Sequence, residues 1–276
     1  MPLLHAFVLG LVQGFSEFLP ISSSGHLLVV PWLFGWNDLD DASVKKAFDV
    51  ALHVGTLVAV LAYFRRDVVD VVRGGLVSLR NPTGPHSPAG RLAWLLVLSA
   101  IPAAVVGAAF DDVIEQQLGT PGIIAVSLVL FGGVLAFADR RTGQRMMAGL
   151  GWRDALLIGA AQVLALNPGT SRSGITIAAA LLLGVRRDDA ARFAFLMSLP
   201  VIIGAVVFKV GGLVADGVPG DLVAPMLVGI ATAAVSGWLA VWGTLRLVRT
   251  RTFTPFVIYR VALAGVIGVV LLAGWR

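Results

Sequence analysis

The sequence contains no cysteine, which excludes disulfide frameworks, thiolate metal centres and cysteine nucleophiles. It has only four histidines, and no two of them form a His-x-x-x-His pair, so a histidine-built zinc site is not expected. Charge is scarce as well. Asp, Glu, Lys and Arg make up 13% of the 276 residues, where a soluble domain carries about a quarter. Apolar residues account for 57% and the mean hydropathy is +0.88. A single soluble core cannot hide that much apolar surface, so lipid must solvate much of it. The net charge of +5 does not mark a nucleic-acid binder, because the arginines sit in short loops between apolar runs. That is how membrane proteins mark their cytoplasmic ends.

Six apolar stretches are long enough to cross a hydrocarbon core of about 30 Å: 48–64, 92–110, 122–138, 191–208, 222–246 and 255–275. Residues 1–34 do not read as a cleavable signal peptide, having no basic n-region and an apolar run broken by Glu17, Pro20 and three serines. The loops 65–91 (Arg65, Arg66, Arg73, Arg80, Arg91), 139–153 (Arg140, Arg141, Arg145, Arg153) and 246–260 (Arg246, Arg249, Arg251, Arg260) are basic and are assigned to the cytoplasm. The alternate loops agree: 111–121 holds Asp111, Asp112 and Glu115 without a basic residue, and 209–221 holds one lysine against two aspartates. The segment 80–91, with Pro82, Gly84, Pro85 and Pro88, reads as a flexible cytoplasmic loop rather than a domain boundary. Trp32, Trp36, Trp94, Trp152 and Trp275 fall near span ends, as interfacial anchors do.

Residues 154–184 have cytoplasmic arginines on both sides, Arg153 before and Arg186 and Arg187 after. The segment therefore enters and leaves on one face. Its polar middle, 167–174, contains the helix breakers Pro168 and Gly169. Arms of about 12 and 11 residues reach roughly 17 Å each, half of the core. This predicts a re-entrant helical hairpin with its tip near the midplane, where irregular backbone is tolerated only inside protein or beside a wet cavity. A shift of 149 residues lays Gly10, Gln13, Ser22, Ser24 and Gly25 on Gly159, Gln162, Ser171, Ser173 and Gly174. The spans that follow run in opposite directions. The reading is a single all-α polytopic membrane domain over 1–276: six spanning helices plus two re-entrant helical hairpins in an inverted-topology repeat, with halves of about 1–138 and 150–276.

The first tip holds Gln13, Glu17, Pro20, Ser22, Ser23, Ser24, Gly25 and His26. A carboxylate at membrane depth needs a cation, a proton or an arginine, and Gln13 shares the helical face of Glu17. The serines stand where an N-cap belongs, ahead of a helix from about 25 to 34. Amides and hydroxyls at such a terminus suit an anion. His26, one turn into that helix, is placed to exchange a proton with a serine hydroxyl or a leaving oxygen. The second tip holds Asn167, Pro168, Gly169, Thr170, Ser171, Arg172, Ser173 and Gly174, where serines again cap a helix and Arg172 offers a planar fork for phosphate. If both tips face one cavity, its inventory suits phosphate with a divalent cation bridging Glu17 and phosphate oxygens.

A plainer reading stands beside each of these. Serine and glycine pack helices together in membranes. Glu17 with Arg172 would serve as a structural ion pair, and a lone histidine is usually a satisfied polar residue. Asp49 and His53 share a face at the outer start of the first span. The pairs Gly132-Gly133 and Gly211-Gly212 would serve packing within one chain or a homodimer.

The run from Gln13-x-x-x-Glu17 through Phe18-Leu19-Pro20-Ile21-Ser22-Ser23-Ser24-Gly25-His26, taken with Pro168-Gly169-Thr170-Ser171-Arg172-Ser173-Gly174-Ile175-Thr176, closely resembles the undecaprenyl-diphosphatase family, bacterial membrane enzymes also called bacitracin-resistance proteins. Phe48-Asp49 and His53-x-Gly55 look like that family's pattern too. The resemblance implies hydrolysis of undecaprenyl diphosphate to undecaprenyl phosphate and inorganic phosphate, recycling the lipid carrier for cell-wall synthesis. It implies Glu17 and Gln13 at a divalent cation (Mg2+ or Ca2+), Arg172 on phosphate and Ser23 as nucleophile assisted by His26. Ser22, Ser24, Gly169, Thr170, Ser171, Ser173 and Gly174 would contact substrate. The family's first motif position can be glutamate or glutamine, and here it is the neutral Gln13, leaving one carboxylate. The expected setting is the bacterial inner membrane, with the cavity open to the outer face, a polyprenyl diphosphate as substrate and lipids as neighbours. A lipid diphosphate suits a midplane site because its tail can stay in the bilayer, and no Walker-type loop is present. The rival from another class is a transporter or flippase of an anion or polyprenyl phosphate using the same midplane site.

Overall fold

Asp41 and Thr120 each stand ahead of an apolar run, and each caps a helix: Asp41 accepts from the amides of Ser43 and Val44, Thr120 from that of Ile123. The computed structural model describes residues 1–81, 86–141, 143–216 and 220–276, with the side chains of 111–117 and 208–216 outside the description. Among the described residues the chain forms α1 (Leu3–Phe18), α2 (Ser23–Phe34), α3 (Ala42–Tyr63), α4 (Arg65–Arg80), α5 (Pro88–Gln117), α6 (Pro121–Asp139), α7 (Trp152–Val163), α8 (Arg172–Leu182), α9 (Arg187–Asp216), α10 (Val223–Val248) and α11 (Thr254–Leu272), with short 3-10 turns between some of them. No strand occurs among the described residues.

Six of these helices are long and apolar enough to cross a membrane: Ala42–Tyr63, Pro88–Phe110, Pro121–Asp139, Arg187–Val207, Gly220–Val248 and Thr254–Leu272. Each contains or overlaps one of the six apolar stretches. Their outer faces stay apolar, with Val105, Val126, Leu130, Val235 and Val266 exposed, which only a lipid solvent tolerates on this scale. This is a multi-pass membrane protein.

Several loop assignments are corrected. Residues 65–80 are not loop but helix α4, because Val68, Val71, Val72, Gly75, Leu76 and Leu79 recur at helical spacing and give one apolar face. That face packs on α5, and a side chain at Gly74 would strike the backbone at Gly90. Helix α5 runs past a non-helical Phe110 (φ −129°, ψ 20°) to Gln117, and α9 continues to Asp216, so both acidic segments are largely helical. The acidic side chains at 111–115, Lys209, Asp216 and the burial of Gly211 and Gly212 lie outside the described set, as do Pro82, Gly84 and Pro85. Arg246 belongs to α10 and Arg260 to α11.

Small residues set the helix packing. Helix α1 lies against α10 so closely that a side chain at Gly10 or Gly14 would collide with α10 backbone. Helix α3 packs against both α1 and α10, with Phe48 and Leu52 reaching Gly229. Helix α7 meets α5 at Gly159 and Ser99, and α6 pairs with α11. The largest apolar cluster joins Phe18, Val60, Phe64, Ile177, Phe193, Phe195 and Val241 from α1, α3, α8, α9 and α10. At the Arg-rich end Asp139 is buried and accepts from Arg187 Nε at 2.5 Å and from the Phe253 amide at 2.8 Å, tying α6, α9 and α11 together. Arg145, outside the spans, bonds both oxygens of Asp154 and holds that carboxyl below the usual carboxylate range.

Candidate active site

The chain breaks twice where the sequence places tips. Between α1 and α2, Leu19–Ser22 leave the helical path; between the turn Leu164–Leu166 and α8, residues 167–171 do so. Pro20 and Pro168 explain the interruption, since neither can donate a helical hydrogen bond. Ser22 (φ 82°, ψ 97°) caps α2 and Ser171 (φ 73°, ψ 112°) caps α8, and they are the two non-glycine residues with positive φ among those described. Each such backbone costs about 1–2 kcal/mol, and its persistence shows that the surroundings over-determine it. They stand 149 residues apart.

What over-determines them is contact between the tips. Ser22 Oγ accepts from Gly25 N at 3.4 Å and from Gly169 N, across the junction, at 3.0 Å. Ser173 Oγ donates to Leu19 O at 3.1 Å. Gly169 takes φ 94°, and a side chain there would strike Ile124 O on α6. Ser171 Oγ accepts from Gly174 N at 3.1 Å and lies 3.2 Å from Ser173 Oγ, while Thr170 Oγ1 accepts from Asn167. The N-termini of two helices thus meet inside the bundle.

Glu17 is the hub of the junction. Arg172 Nη2 donates to its Oε1 at 2.6 Å, across 155 residues of sequence. Ser23 Oγ donates to its Oε2 at 2.5 Å and Gln13 Nε2 donates to the same oxygen at 3.3 Å. The Glu17 side chain is 5% exposed and that of Arg172 18%, so the pair is open at the arginine. His53 on α3 lies with its Nδ1 2.7 Å from Asp49 O. Ser24 is exposed one residue beyond Ser23.

His26 faces elsewhere. Its Nδ1 lies 2.6 Å from Ser22 O, a carbonyl that only accepts, so Nδ1 carries the proton. In the neutral ring Nε2 then accepts from the Tyr259 hydroxyl at 2.7 Å. Tyr259 comes from α11, and so does a second side chain that sequence reasoning misassigned. Arg260, read above as part of a basic cytoplasmic loop, is wholly buried. Its Nη2 donates to Gly169 O (2.8 Å), Thr170 O (3.1 Å) and Ser127 O (3.3 Å), its Nη1 to Pro20 O (3.3 Å) and its Nε to Leu128 O (2.9 Å). One guanidinium therefore bonds both tips and α6 together.

The model of the family described as bacitracin resistance protein BacA matches residues 6–266, a stretch that holds both tips and Arg260. The chain belongs to the BacA family. Proteins named undecaprenyl-diphosphatase are similar to it along nearly their whole lengths: one from Trichlorobacter lovleyi is 48% identical over 99% of this chain and 98% of the relative. One from Geobacter sulfurreducens is 47% identical over 97% of each, and one from Desulforudis audaxviator 47% over 98% of each.

Within this BacA-family chain the structure gathers Gln13, Glu17, Ser23 and Arg172 at one point. It engages Ser22, Gly169, Thr170, Ser171, Ser173 and Gly174 in bonds within and between the tips, and sets His26 against Tyr259 rather than against the Ser23 hydroxyl. No group of three or more His, Asp or Glu side chains suited to a metal occurs among the described residues. One carboxylate is not a complete cage. Yet Gln13 Oε1 is buried and has no hydrogen-bond partner, beside a Glu17 oxygen held by Ser23 and Gln13. An amide oxygen and a carboxylate oxygen are hard donors that fit a divalent cation sharing its remaining positions with phosphate oxygens and water.

Proposed function

We propose that this protein hydrolyses undecaprenyl diphosphate to undecaprenyl phosphate and inorganic phosphate, returning the lipid carrier to cell-wall synthesis. The observation that carries the reading is the chain Arg172–Glu17–Ser23, a cation, a carboxylate and a hydroxyl in contact inside the helix bundle. The name undecaprenyl-diphosphatase that the relatives carry supports it. The two broken helix pairs are re-entrant hairpins of inverted repeats, over about 1–138 and 150–276; the two strained serines 149 residues apart support this. The site opens to the outer face of the inner membrane, in line with the charge pattern of the loops. A homodimer stays part of the reading.

In the mechanism, Arg172 leaves the Glu17 carboxylate to take the terminal phosphate in its planar fork, and the first turn of α2, open at Ser24, adds amide dipoles. Glu17, freed of the arginine, accepts the Ser23 proton as Ser23 Oγ attacks the terminal phosphorus. The anhydride P–O bond breaks and undecaprenyl phosphate leaves with the bonding electrons. Water then cleaves the phosphoserine at phosphorus while Glu17 returns its proton to the departing Ser23 Oγ, giving inorganic phosphate and restoring both the serine and the carboxylate. His26 and Tyr259 hold a proton beside the first turn of α2. A divalent cation at Glu17 and Gln13, when bound, supplies neutralisation of diphosphate charge.

The test is phosphate release from a long-chain prenyl diphosphate by detergent-purified protein, with and without magnesium or calcium. Ser23→Ala is expected to reduce kcat on the order of 10³-fold or more without shifting the melting temperature by more than a few degrees. Release that survives both Ser23→Ala and His26→Ala would remove the serine mechanism. No release from folded wild-type protein would favour a transporter at the same site.

A further inference from the structure

Arg172 also lines a cavity of about 460 Å3 between α5, α9 and the turn that follows α7. Its walls are small and apolar, Ala104, Gly107, Gly204 and Ala205 among them, with Leu166 and Pro200 at its edges. Two polar side chains line it, Arg172 and Gln162. Gln162 is 2% exposed, and neither atom of its amide has a hydrogen-bond partner. An unpaired buried polar group is destabilising, so this amide is held against a standing penalty that a ligand would relieve. From the same Pro200 a second apolar cavity of about 330 Å3 runs under α4, past Leu199, Leu196 and Val97.

We propose that the two cavities form a track for the prenyl chain of the lipid diphosphate, with Gln162 bonding a diphosphate oxygen at its mouth. The inference rests on the diphosphatase reading and adds to it where the tail lies and which amide meets the head. The 460 Å3 chamber is within the range of about 300–1,000 Å3 for small-molecule sites, enough for the first isoprene units, with the second cavity taking the chain onward. The Ala and Gly walls leave room for the methyl branch that each unit carries. Arg172 both lines the chamber and bonds Glu17, so a chain here holds its diphosphate one side chain away from the junction of the tips.

The experiment compares two substrates and two variants. A Cβ added at Gly204 meets nothing within 4 Å, so Gly204→Phe points a ring into open space rather than into packed neighbours. It is expected to lower the ratio of kcat/KM for a long-chain prenyl diphosphate over geranyl diphosphate about tenfold, the scale on which hydrophobic pockets discriminate chain size. Gln162→Leu, which removes the head contact, is expected to lower kcat/KM about tenfold on both substrates and leave that ratio alone. An unchanged ratio in Gly204→Phe, or wild-type kinetics in Gln162→Leu, overturns the proposal. A diazirine-bearing prenyl monophosphate reads the track without hydrolysis and is expected to label α5 and α9 peptides. Equal labelling by an acyl phosphate carrying the same diazirine overturns the assignment to a prenyl chain. Labelling specific to the prenyl probe in a protein that hydrolyses no diphosphate supports the track and sinks the diphosphatase reading alone.

Discussion

Arg172→Met is expected to lower phosphate release on the order of 10³-fold and to lower the melting temperature in detergent as well. The kinetic loss follows from removing the fork that takes the terminal phosphate in the proposed mechanism; single preorganised donors to developing charge are worth about 10²–10³ in rate. The stability loss has a separate origin. Without the guanidinium, Glu17 keeps a carboxylate that is 5% exposed and has no cation in contact, and stranding one partner of a buried pair costs about 3–5 kcal/mol. The two effects come apart in the double variant Glu17→Gln with Arg172→Met. Both charges are then gone, so the melting temperature should return most of the way to wild type while phosphate release stays lost. Recovery of activity along with stability would reduce the pair to a structural strut between the tips.

Arg260→Met should be still more damaging to the fold. The methionine fills a similar volume but donates nothing, and the carbonyls of Pro20, Ser127, Leu128, Gly169 and Thr170 lose the donor they share. Ser127 and Leu128 keep their helical bonds within α6, but the carbonyls of Pro20, Gly169 and Thr170 lie outside helices; each left unpaired costs about 1–3 kcal/mol, and in hydrocarbon no water rescues it. The expected result is a melting temperature lowered by well over ten degrees, or failure to accumulate in the membrane. Arg260→Lys, which keeps the charge but not the planar fork, should fall between the two. Its purified form allows the test to be read even if the methionine variant does not fold. Wild-type melting in both variants would show that the tips hold themselves together.

Much of this architecture is legible in one dimension. Hydropathy finds the six long helices because lipid leaves their outer faces apolar, and Pro20, Pro168 and Gly169 announce the two interruptions because backbone chemistry is local. Ser22 and Ser171 are recognisable as caps for the same reason, although nothing in the sequence foretells their positive φ, which contact between the tips imposes. Arg260 was hidden by its type. An arginine beside an apolar run looks like a membrane-face anchor, and only its place inside the stretch 255–275 as well as in the loop 246–260 hinted that it lay within a helix. Helix α4 was masked by its charge, which drowned the helical spacing of its valines and leucines in any average. The meeting of His26 with Tyr259, 233 residues away, has no sequence signal at all.

The origin of that guanidinium on α11 also sets an order of assembly. Pro20 O and Arg260 Nη1 are 240 residues apart along the chain. At about 5–20 residues per second, the first tip waits roughly 10–50 s in the bilayer before the ribosome has made the residue that ties it to the second. Throughout that interval its carbonyls must find temporary partners, from water or from the insertion machinery. The junction is therefore closed by one of the last helices to be made. A half-made chain carries Glu17 and Ser23 but not the guanidinium that ties the two tips together.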